Sequence, residues 1–212
     1  MKYGDIKIEA LKLMFANMGD DIVRENLDRY EQNETYADYL INMPGSVNRC
    51  FSVLEQKGVL PSKVKALSPN TGLASGAFIR FDLAAIIEDY CDIERVIRET
   101  TDGEYSGDCD YRMEGDTLVL DRFDDSDGIT YSVLYRPIVK RVNDLTDNEW
   151  EVPIPENIAA FIPYFIKGEL YRSDEPNEAS EARNWFEAGV NEILYKKDSK
   201  VSKIKAVYAQ TE

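Results

Sequence analysis

The hydrophobic period of this chain changes twice, and that change limits its folds more than any other feature. Up to about residue 62, apolar side chains recur every three or four positions, the spacing of one helix face. Ile8, Leu11, Phe15 and Met18 follow Asp5, a good N-cap, and Gly19 stands where a helix would end. A weaker helix is expected over Asp21 to Tyr30, and Tyr36, Tyr39, Leu40 and Met43 form a third short face. Pro44 is expected to open a further helix, because a first-turn proline loses no hydrogen bond. Val47, Cys50, Phe51 and Leu54 give that helix its stripe, and Gly58 and Pro61 close it.

From Lys63 the period drops towards two. Phe78 to Phe81, Ile93 to Glu99, Tyr111 to Asp121 and Ile129 to Ile138 read as strands. Glu114-Gly115-Asp116 marks a hairpin turn, and Tyr131, Val133 and Tyr135 share one face. Ala84 to Tyr90 fits a helical turn or a strand equally. Helical spacing returns at Pro155 with Ile158, Phe161, Ile162, Phe165, Ile166 and Leu170, and Pro163 is expected to kink this helix. A last helix starts at Ser173-Asp174-Glu175-Pro176 and carries Ala179, Ala182, Phe186, Val190 and Ile193. Trp150 and Trp185 are read as core or lobe-junction residues. Beyond Lys196 the chain turns basic, and Ser202 to Tyr208 reads as a strand or extended tail.

The fold class that follows is α+β, a helical bundle with an inserted small antiparallel β-sandwich or barrel lobe. Residues 1–62 and 151–198 form the discontinuous helical lobe, 63–150 the inserted β lobe, and 199–212 a C-terminal extension.

Charge and composition narrow the chemistry. The 212 residues hold 40 acids against 25 bases, a net charge of −15, and 43% are hydrophobic, enough for a core. Residues 88–127 carry 15 acids and four arginines, which is −11 of that total. Such a surface argues against binding DNA by coating its phosphates. The absence of histidine removes the usual general base and most zinc and haem sites. Cys50, Cys91 and Cys109 lack C-x-x-C spacing and read as free thiols of a reducing compartment. No stretch approaches the ~20 apolar residues of a membrane span. The start has no apolar run of the signal-peptide kind, so a soluble, cytoplasmically made chain is expected.

No motif marks catalysis. Asp124-Asp125-Ser126-Asp127-Gly128 resembles half a calcium loop, but Phe123 and Leu134 stand where acids are required, so a hairpin turn is the better reading. Asp102-Gly103 reads the same way. Paired carboxylates could hydrolyse a glycoside, yet no acid lies in an apolar context that would raise its pKa. No phosphate-binding or nucleophile-elbow glycine motif occurs. No catalytic residue, cofactor or metal is therefore assigned.

Ile162-Pro163-Tyr164-Phe165-Ile166-Lys167-Gly168-Glu169-Leu170-Tyr171-Arg172, with Asp174 to Ala179 and Arg183 to Glu187, resembles the C-terminal helix pair of tailed-bacteriophage head-to-tail adaptors. Tyr36 through Met43-Pro44-Gly45-Ser46-Val47-Asn48-Arg49 resembles an earlier helix of the same connector or tail tubular proteins. The resemblance covers about half the chain and rests on packing patterns; the β lobe is not matched. It implies a structural virion protein in the neck between head and tail. A ring of about a dozen copies would bind the portal ring above and the next tail or nozzle protein below. DNA would pass through its channel without specific binding. The resemblance also implies a C-terminal segment that reaches the portal, here Lys197, Lys200, Val201, Lys203, Ile204, Lys205, Val207 and Tyr208. A β-sandwich module binding protein or carbohydrate is the alternative, and a carboxylate-dependent hydrolase the third reading.

Overall fold

The computed structural model describes residues 1–16, 21–68, 71–75, 78–100, 105–121 and 129–208, with the side chains of 75, 99, 100, 105, 106, 121, 129 and 197–208 left aside. The protein is a mixed α+β chain of two compact units, Met1–Val59 with Arg141–Glu212, and Leu60–Lys140.

In the first unit, helix α1 (Tyr3–Met14) begins two residues before the expected cap. The Tyr3 and Gly4 N–H groups donate to the carbonyls of Trp150 and Asn148, both at 2.9 Å. Because that segment satisfies the first-turn donors, Asp5 becomes the third helical residue and accepts the Lys2 N–H at 3.0 Å. Met18 and Gly19 lie outside the described residues. A 3₁₀ turn (Arg24–Asn26) and the one-turn helix α2 (Leu27–Tyr30) replace the expected weak helix.

Helix α3 runs unbroken from Glu34 to Gln56, so Pro44 lies inside one 23-residue helix rather than opening a new one. Lacking an N–H, Pro44 leaves the Leu40 carbonyl without its helical donor, a local cost of about 3 kcal/mol. Met43, Val47, Cys50, Phe51 and Leu54 are all fully buried along the same face. Each such side chain contributes about 1.5–3 kcal/mol by leaving water, so the continuous stripe outweighs the lost bond. The helix stops at Gly58, whose φ of +64° permits the bonds Gly58 N–H to Glu55 and Val59 N–H to Leu54.

After the second unit the chain returns at Arg141. The expected β lobe reached Trp150, but Val142 is buried in the helical unit, and its backbone exchanges bonds of 2.8 and 2.9 Å with the Asn48 side chain. Helix α5 (Glu156–Ala159) ends before α6 (Ile162–Leu170), whose first turn holds Pro163; the expected kink is a break. Helix α7 (Pro176–Tyr208) packs Ala179, Ala182, Phe186 and Val190 inward, with the Phe165 and Phe186 rings edge-on at 4.9 Å. Trp185 is 59% exposed and is not a core residue. The basic end is helical to Tyr208, not extended. Lysine and alanine are good helix formers, and a helix already nucleated adds residues at little cost.

The second unit contains two four-stranded antiparallel sheets with the one-turn helix α4 (Leu83–Ile86) between two of the strands. Its strands are β1 (Lys63–Leu67), β2 (Leu73–Ser75), β3 (Phe78–Asp82), β4 (Tyr90–Thr100), β5 (Tyr105–Asp108), β6 (Tyr111–Glu114), β7 (Thr117–Asp121) and β8 (Ile129–Pro137). The orders are β1-β8-β4-β5 and β2-β3-β7-β6. Ile79, Phe81, Leu118 and Leu120 of one sheet join Val96, Tyr131, Val133 and Tyr135 of the other in one apolar core. Glu114 pairs with Thr117 across a two-residue turn, where Gly115 takes a φ of +64°. The Asp102-Gly103 and Asp124 to Gly128 segments lie outside the described residues.

Candidate functional site

In the helical unit, Tyr3 and Lys7 stand one turn apart on α1, so their side chains share a face. Glu31 follows α2, while Asp38, Ile41 and Pro44 line the opposing stretch of α3. Asp144 comes from the return segment, in a tight turn closed by hydrogen bonds between Asn143 and the two residues after Asp144. The Leu145 N–H donates to Asn143 Oδ1 at 3.0 Å, the Asn143 N–H to Thr146 Oγ1 at 2.9 Å, and the Thr146 N–H to the Asn143 carbonyl at 3.0 Å. Lys7, Glu31, Ala37, Asp38, Leu40, Ile41, Pro44 and Asp144 together line a cleft of about 300 Å³.

Three carboxylates and one cation thus line the same cleft. The Lys7 ammonium lies 3.4 Å from Glu31 Oε1 and 5.0 Å from the centre of the Tyr3 ring, with the residue only 8% exposed. Asp38 and Asp144 form no ion pair among the described residues. Tyr3 does not itself line the cleft; its hydroxyl is buried and has no hydrogen-bond partner among the described residues. Burial first, and then the charges of Asp144 and Glu31, push its pKa far above the ordinary phenol value. It is therefore a hydrogen-bonding group and not a base. Ile41 is 69% exposed at the cleft and Leu145, next to Asp144, is 93% exposed.

Two other clefts in this unit are occupied by internal pairs. Arg24 bonds to Asp5, Glu149 and, at 3.2 Å, the Asn148 carbonyl. Lys167, beside Trp185 and Tyr164, donates to the Leu13 carbonyl at 2.8 Å and pairs with Glu178 at 2.7 Å. Among the described residues, no group of three or more Cys, Asp or Glu side chains is arranged to hold a metal ion.

Lys197, Lys200, Val201, Lys203, Ile204, Lys205, Val207 and Tyr208 all lie on the last turns of α7, so one helical rod carries them in sequence. The cleft residues went unread in the sequence because Lys7 looks like an ordinary polar member of a helix. Asp144 has no local signal at all. Compared with known proteins, the chain matches no family model and no curated protein. Among the described residues, no helix is long and apolar enough to cross a membrane.

Proposed function

We propose that this protein is a structural virion component, a head-to-tail adaptor that forms a ring of about a dozen copies below the portal. In this reading a helical bundle builds the ring, and a small β-sandwich lobe meets the next tail protein. The observation that carries the reading is the chain path. The residues of the helical unit come from both sides of a continuous β unit, Leu60–Lys140, which enters after α3 and leaves before α5. That is the layout implied by the resemblance of the helical segments to phage adaptors.

The charge distribution supports the same reading. A net charge of −15 suits a channel that DNA must pass without sticking. The basic helical end, Lys197 to Tyr208, is the contrasting element and serves as the portal contact. Native mass spectrometry of the chain mixed with the portal ring of the same virus tests the proposal. The expected product is one portal ring plus a fixed number of chains near a dozen, lost when residues 199–212 are removed. No complex at micromolar concentration and moderate salt overturns the reading.

A further inference from the structure

We draw no further inference here: the strongest candidate, the cleft between the end of α1, α6 and α7 where Trp185 stands 59% exposed beside Leu13, Tyr164 and Ala182, holds a lysine, Lys167, already paired with Glu178, and nothing in the structure shows what covers its apolar face.

Discussion

The Tyr135 hydroxyl donates a 2.9 Å hydrogen bond to Asp89 Oδ1, linking β8 to the turn before β4. Lys63, which pairs with Tyr135 in the β1–β8 register, approaches the other oxygen of the same carboxylate at 2.5 Å. Burial alone would raise the Asp89 pKa, but the bonds from Lys63 and Tyr135 outweigh it and hold the group below the ordinary carboxylate value. Burial and the bond to Asp89 push Tyr135 up to about 12.

These two shifts act at opposite ends of the pH scale. Asp89 is depressed in the folded state, so its contribution is present above the ordinary carboxylate pKa and is lost as pH falls through the folded value. Tyr135 is raised, so its contribution is complete below about pH 10 and is lost as pH rises towards 12. Urea midpoints are expected to be flat near neutrality and to fall at both extremes. Tyr135→Phe should cost about 1 kcal/mol at pH 7 and remove part of the alkaline fall, the rest belonging to the other raised groups, among them Tyr3, Tyr171 and the Cys50 thiol. An alkaline limb identical to that of the wild type would contradict the assignment.

Gly189 on α7 is fully committed to its neighbour. A Cβ built there would stand 2.2 Å from Phe161 Cε1, inside any permitted contact. Gly189→Ala is therefore expected to destabilise the helical unit by about 1–3 kcal/mol, despite alanine's better helix propensity. Phe161→Leu in the same chain should recover part of the loss, which a double-mutant cycle in urea would measure as coupling. Purely additive effects would place the strain elsewhere.

The three thiols differ in reach. Cys50 is fully buried on α3, and burial pushes its thiol pKa far up, with Arg183 only partly offsetting the effect. Cys109 is half-buried and also raised by burial, while Cys91 is exposed. A thiol reagent at pH 8 should label Cys91 quickly, Cys109 slowly, and Cys50 only as the protein unfolds. Peptide mapping of the modified chain reads this directly. Rapid native labelling of Cys50 would mean that the α3 face is open.

Much of the fold was written in local spacing. The shift of period near Lys63 marked the entry to the β unit, because strand and helix faces demand different intervals between buried residues. Tyr131, Val133 and Tyr135 alternate towards the core as their spacing requires, and Gly58 and Gly115 take the left-handed conformations their places demand. What sequence alone could not decide depended on distant partners. Pro44 stays inside α3 because a tertiary face pays for its missing bond. Asp5 is not a cap because Trp150 and Asn148 already receive the first donors of α1.

The candidate cleft belongs wholly to that second kind. Its lining runs from Lys7 to Asp144, residues 137 positions apart. Sequence by itself determined which residues must be buried, since period and polarity are properties of neighbouring positions. Only the tertiary structure decided which carboxylates share a cleft with one lysine, because charges interact through space and not along the chain.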